Sequence, residues 1–219
     1  MRLPELVIFD CDGILVDSEH LVQRVEMALI AELGWPITAE EMTDQFLGRS
    51  WQTLQATIEA HLGRPLPDDF RSRAVAETHA LFGAELAAVD GVKPAIRAIT
   101  NAGYASCVAS SGAHERIRFT LGLTGLLPVF DGRIFSAADV QRGKPAPDLF
   151  LYAAQTSGFE PQRCTVVEDS PAGVAAAKAA GMAVVGYAGR TPARLLNDAD
   201  LVIDRMSDLP GAVATLGGG

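Results

Sequence analysis

A doubly wound, Rossmann-like parallel α/β sheet carrying an inserted helical domain is the fold this chain predicts, on three observations. The apolar run Leu6-Val7-Ile8-Phe9 ends in a charge and soon a glycine, the pattern of a buried parallel strand whose carboxyl end meets solvent. From Gly91 onward, strand-like and helix-like stretches alternate, which implies parallel pairing through helical crossovers on both faces. Between these two regions, residues 18 to 86 show helical spacing and no convincing strand.

Taken in order, the insertion opens with Leu21, Val25, Leu29 and Leu33 at helical spacing behind Ser18 as a candidate cap, and Gly34-Trp35-Pro36 closes it. Further helices are expected over 39–46, 51–61 and 68–82, the last two stopped by Gly63 with Pro65 and by Gly83. Beyond it, helices are expected over 92–101, 113–121, 148–156 and 172–180. Strands are expected over 104–109, 133–135, 164–167, 182–187 and 201–203. The domains expected are therefore a discontinuous core, 1–17 with 87–219, and a helical insertion, 18–86. The glycine tail 217–219 is low in complexity and is expected to be disordered.

Bulk properties exclude several functions. The chain has 219 residues, 48% hydrophobic, with a net charge of −9. Binding to nucleic acid or to an anionic membrane surface would call for a basic face. No apolar stretch approaches the roughly 20 residues of a membrane helix, and the N-terminal layout is not that of a signal peptide, so a cytoplasmic protein is expected. Cys11, Cys107 and Cys164 are odd in number, share no metal spacing and lie in or beside apolar runs, so they are expected to be buried and reduced. The histidines form no ligand cluster.

Four polar clusters fall at the carboxyl ends of expected strands, where open α/β sheets build their crevices. Asp10 and Asp12 follow the first strand, with Gly13 supplying a permissive backbone. Two neighbouring carboxylates need a cation or a shared proton to coexist, and magnesium would serve both; alone, the pair also fits two solvated loop residues. Ser110-Ser111-Gly112 precedes a helix and offers a hydroxyl and backbone N–H groups for phosphate oxygens, or simply a helix cap. Lys144, in Gly143-Lys144-Pro145, offers a cation for a carboxylate and a phosphoryl oxygen, or mere surface charge. Glu168 and Asp169 precede Ser170-Pro171, a plausible cap and first helical residue, which leaves both carboxylates at the crevice. Magnesium takes oxygen ligands, commonly one or two carboxylates with substrate phosphate.

In order and content the clusters resemble the four motifs of the haloacid dehalogenase superfamily of phosphohydrolases, through Asp10 and Asp12, Ser110, Lys144, and Glu168 with Asp169, in the contexts Asp12-Gly13-x-Leu15-x-Asp17-Ser18-Glu19 and Glu168-Asp169-Ser170-x-x-Gly173. The resemblance spans essentially the whole chain. It implies that Asp10 attacks phosphorus to form an aspartyl-phosphate, and that Asp12 protonates the leaving oxygen and then activates water. It further implies that Mg2+ is held by Asp10, the Asp12 carbonyl and Asp169, with Glu168 a ligand or a partner of the ligands. Ser110, the Ser111 N–H and Lys144 would complete the phosphate cradle. An unperturbed carboxyl, near pKa 3.9, would be ionised at neutral pH without an activating base.

The insertion resembles the family's four-helix cap, which closes over the site and selects the leaving group. Phe46-Leu47-Gly48-Arg49-Ser50-Trp51 resembles its specificity loop, in which Gly48 permits a turn and Arg49 reads a second anionic or hydroxyl-rich part of the substrate. His20 is a further substrate-contact candidate, or a helix-end residue with no role. The expected partner is a small phosphorylated sugar or sugar acid, hydrolysed by a monomer or small homo-oligomer. A β-phosphoglucomutase-like phosphomutase is the alternative, weakened by Ser18-Glu19-His20 where mutases carry another pattern and by Trp51 at an arginine's place. A catalytically silent regulatory or phosphate-sensing protein on the same fold is a third reading.

Overall fold

The computed structural model describes residues 5–46 and 51–217. The chain divides into two compact units, Met1–Asp17 with Ala87–Gly219, and Ser18–Leu86.

The larger unit is built on six parallel strands: β1 (Leu6–Phe9), β2 (Ala105–Ser110), β3 (Ile134–Ser136), β4 (Cys164–Glu168), β5 (Ala183–Tyr187) and β6 (Leu201–Ile203). Their order is β3-β2-β1-β4-β5-β6. The sheet grows to one side of β1 through β2 and β3 and to the other through β4, so β1 marks the switch point where such sheets place a ligand crevice. Phe9 lies level with Val108 of β2 and Val167 of β4, and the Asp10 amide extends the ladder by donating to the Val167 carbonyl at 3.0 Å. The residues after β1, β2 and β4 therefore emerge along one rim.

Alternation assigns the two faces. Leu6 and Ile8 pack with Leu149, Phe150 and Ala153 of α8 (Asp148–Ser157) and with Val174 and Ala177 of α9 (Pro171–Ala179). Phe9 points the other way and meets the Phe130 ring edge-on, centroids 5.9 Å apart. The expected doubly covered parallel sheet is present. All three cysteines are buried and free; burial raises Cys107 and Cys164 to about 12, which keeps them as inert thiols.

The smaller unit holds α1 (Glu19–Glu32), α2 (Ala39–Phe46), α3 (Trp51–Leu62) and α4 (Phe70–Glu85) around Leu29, Ile30, Met42, Leu54, Ile58 and Phe70. Arg24 of α1 clasps both carboxylate oxygens of Glu85 of α4, at 2.5 and 3.2 Å.

The local expectations differ from the structure in four places. Ser18 stands at the N-cap of α1, but in helical backbone geometry and without a side-chain capping bond. Helix α4 runs through Gly83 to Glu85: Gly83 takes no left-handed backbone, Phe82 stays buried, and the Arg24 clasp lies beyond the glycine. Two helices lie outside the expected set, α7 (Leu127–Phe130) and α10 (Leu209–Leu216). In each, a proline (Pro128, Pro210) sits in the first turn, where its missing N–H costs nothing. Buried Leu209, Ala212 and Val213 then give α10 its apolar stripe. Gly217 closes α10 instead of opening a disordered tail, and Gly218 and Gly219 lie outside the described residues. Among the described residues no helix is long and apolar enough to cross a membrane.

Candidate active site

At the carboxyl end of β1 the chain makes a tight loop. The amides of Leu15 and Val16 donate to the Cys11 carbonyl, and the Gly13 amide donates to the Val16 carbonyl. Gly13 adopts φ +78°, and a β-carbon there would overlap the Oδ2 atom of Asp169. The glycine thus has two functions, a left-handed turn and clearance for the carboxylate beside it.

Lys144 is the centre of the cluster. Its Nζ donates to Asp10 Oδ1 at 2.6 Å, to Glu168 Oε1 at 2.7 Å and to the Ala109 carbonyl at 3.2 Å, with its side chain only 5% exposed. The ammonium also stands 4.8 Å from the centroid of the Phe150 ring. The Lys144-Pro145 peptide is cis, and α8 begins three residues later. The surface-charge reading of this lysine is therefore excluded.

Glu168 ends β4 with both oxygens engaged, Oε1 by Lys144 and Oε2 by the Ser170 amide and hydroxyl at 2.7 and 2.9 Å. Ser170 in turn caps α9 by accepting from the Gly173 amide at 3.0 Å. A β-carbon at Gly173 would overlap the Glu168 carboxylate, so the glycine three places after the serine makes room for it.

Burial raises the Asp10 carboxyl to about 7; Lys144 opposes this and Glu168 and Asp12 add to it. The expectation of a carboxylate ionised without help thus holds for an exposed aspartate but not at this depth. For Lys144, burial favours the neutral amine, but Asp10 and Glu168 outweigh it and hold the lysine charged above its usual range.

Carboxylate oxygens of Asp10, Glu168 and Asp169 lie within 4.8 Å of one another, and all three residues are buried. One ammonium among that many buried carboxylates leaves an excess of negative charge that a divalent cation would neutralise. The donors are all oxygen, which suits a hard ion. Both Glu168 oxygens and one Asp10 oxygen are engaged within the cluster, and Asp10, Glu168 and Asp169 are the residues that could hold a metal ion. Asp12 contributes to the local charge from the next turn of the loop, its side chain 27% exposed.

Ser110, at the end of β2, is buried, and its Oγ accepts from the Gly112 amide at 3.2 Å. Ser111 is exposed at the rim. The loop is pinned from β3: Ser136 donates its hydroxyl to the Gly112 carbonyl at 2.6 Å, while Asp139 accepts from the Ser136 amide at 2.9 Å and pairs with His114 Nε2 at 2.8 Å. His20 lies in the first turn of α1 in the smaller unit. Gly48 and Arg49 lie outside the described residues.

Sequence reasoning missed two arginines. Arg190 clasps Asp17 through Nε and Nη2 at 2.5 and 2.6 Å. Arg116, in α6 (His114–Leu123), donates to Asp12 Oδ1 at 3.1 Å. The available signal for Arg116 was its position two residues past His114 on the helix that the Ser110 loop opens.

The model of the haloacid dehalogenase-like hydrolases matches residues 4–181. The chain belongs to that family. Among curated proteins it is 33% identical over 181 residues to 6-phosphogluconate phosphatase of Escherichia coli, covering 82% of this chain and 80% of the relative. It is 31% identical over 206 residues to hexitol phosphatase A of the same organism, covering 92% and 91%. Among solved structures, a conserved haloacid dehalogenase-like protein of unknown function from Agrobacterium tumefaciens superposes with a TM-score of 0.88 at 37% identity, covering 98% of this chain and 99% of that one. Family and named relatives together support the enzyme class phosphoric monoester hydrolase for this haloacid dehalogenase-like chain.

Proposed function

We propose that the protein is a Mg2+-dependent phosphatase that hydrolyses a small phosphorylated sugar or sugar acid through an aspartyl-phosphate on Asp10. The observation that carries this reading is the buried Asp10–Lys144–Glu168 bridge with Asp169 beside it. It is a buried, charge-dense corner at the carboxyl ends of β1 and β4, and its negative excess calls for a cation. The substrate class follows from the 6-phosphogluconate and hexitol phosphatases among the relatives. Three buried thiols with no disulfide suit a reducing cytoplasm.

Asp10 attacks phosphorus with a carboxylate oxygen; the new P–O bond forms as the bond to the sugar oxygen breaks. Asp12 delivers a proton to that departing oxygen, then takes one from a water whose oxygen displaces Asp10 from phosphorus, releasing phosphate and restoring the free carboxylate. Lys144 keeps Asp10 aimed and helps hold it ionised. Ser110 and the Ser111 amide receive the non-bridging oxygens. A divalent ion held by Asp10 and Asp169 would supply charge neutralisation for the phosphoryl group and lower the Asp10 pKa further.

Purified protein with a panel of sugar phosphates tests the proposal. Phosphate release that requires Mg2+ and stops with chelator is the expected outcome. Accumulation of glucose 6-phosphate from β-glucose 1-phosphate would favour a mutase instead, and no release from any ester, aryl phosphates included, would favour a non-catalytic protein. Trp51, at the place of a mutase arginine, packs against Phe70 with ring centroids 6.0 Å apart, a structural use for that side chain within the smaller unit.

A further inference from the structure

Helix α6 grips the nucleophile loop at two points one turn apart. Thr120 and Cys11 are both buried, with Thr120 Oγ1 3.8 Å from Cys11 Sγ. Four residues earlier on the same face, Arg116 donates to Asp12 Oδ1 at 3.1 Å. The two grips are linked, because the Thr120 hydroxyl also donates to the Arg116 carbonyl at 3.1 Å. The Arg116 stem lies along Gly112, its Cδ 3.8 Å from where a β-carbon at that glycine would stand. One side chain thus spans from the Ser110-Ser111-Gly112 loop to the loop carrying Asp10 and Asp12.

We propose that Arg116 is a positioning residue, holding the Asp12 carboxylate where it can pass a proton to the departing sugar oxygen. The inference rests on the reading of Asp12 as acid and base. Lys144 restrains Asp10 in the buried corner, whereas the Asp12 side chain sits further out, 27% exposed, and is reached from α6 by Arg116. The Arg116 contact, with its stem lying along Gly112, ties the acid to the phosphate-binding loop and favours one Asp12 orientation.

The test compares two leaving groups. An alkyl phosphate needs its departing oxygen protonated; p-nitrophenyl phosphate, which releases a stabilised phenolate, does not. For Arg116→Met we expect kcat/KM to fall about tenfold on the fastest alkyl substrate of the panel, a fraction of the 10²–10⁴ that general acid–base catalysis contributes. On p-nitrophenyl phosphate it should change less than about twofold. Arg116→Lys should recover part of the alkyl activity. In an Asp12→Ala background the same replacement should cost nothing further. Equal losses on both esters, or a KM rise that persists in the Asp12→Ala background, would overturn the inference and make Arg116 a substrate-binding or purely structural residue. If Asp12→Ala alone leaves alkyl turnover intact, the reading of Asp12 itself falls, whatever Arg116 does.

Discussion

Asp169 keeps its carboxylate in the space that a side chain on Gly13 would fill. The acidic corner therefore depends on a backbone choice made in a different loop, on the neighbouring strand. Gly13→Ala must adopt φ +78° with a β-carbon, at about 1–2 kcal/mol, and must also displace Asp169. The expected result is a Mg2+ requirement shifted upward by about 10-fold or more, read from activity against metal concentration, with a smaller loss in thermal stability.

Lys144 bridges Asp10 and Glu168 with a single ammonium. Lys144→Met would leave two buried carboxylates without it, a change that typically costs about 3–5 kcal/mol. Urea unfolding in chelator should show this loss at pH 8. It should shrink toward pH 5, because Asp10, raised by burial and no longer opposed by Lys144, takes up a proton and sheds its charge.

The same titration acts in the unaltered, metal-free protein. The folded Asp10 carboxyl binds its proton more tightly than in the unfolded chain, about 7 against 3.8. Its contribution to stability is therefore complete below pH 4 and is lost as pH rises through 7, on the order of a few kcal/mol. Melting temperatures of wild type and Asp10→Asn in chelator should diverge across that window, wild type losing ground as pH rises. Added Mg2+ should restore wild type and leave the variant unmoved.

Ser136 is fully buried, and its hydroxyl satisfies the Gly112 carbonyl. Ser136→Ala strands that carbonyl, costing about 1–3 kcal/mol, and loosens the phosphate-binding loop. Inhibition by inorganic phosphate should weaken severalfold, measured at constant substrate and metal. The neighbouring Asp139 is pushed up by burial, but hydrogen bonds from His114 and the Ser136 amide hold it below the usual carboxylate range. Its contribution is present above pH 3.8 and disappears as pH falls through its lower folded value.

The sheet was legible in the sequence because β1 is a continuous apolar run and its neighbours β2 and β4 are mostly apolar stretches ending in polar residues, and strands β4 and β6 fall within one residue of expectation. The gathering of Asp10, Lys144, Glu168 and Asp169 follows from the same pattern, since parallel strands deliver their carboxyl ends to one rim. Local signals failed where packing overrode them. Gly83 reads as a helix stop until the helix is seen carrying Glu85 to Arg24, and α10, outside the expected set, is held by the burial of Leu209, Ala212 and Val213. The arginine contacts, Arg116 to Asp12 across 104 positions and Arg190 to Asp17 across 173, leave no periodicity to read. The depressed ionisation of Asp10 was illegible for a related reason: it depends on burial depth, which spacing does not report.

If the site works as proposed, phosphorus is bonded to Asp10 during turnover. Rapid acid quench of protein mixed with Mg2+ and a phosphate-labelled substrate should trap label on one peptide, that containing residue 10, at up to one equivalent and with the lability to alkali of an acyl phosphate. A chain that carries no label while turning over, or an Asp10→Ala variant that hydrolyses substrate at the wild-type rate, would contradict it.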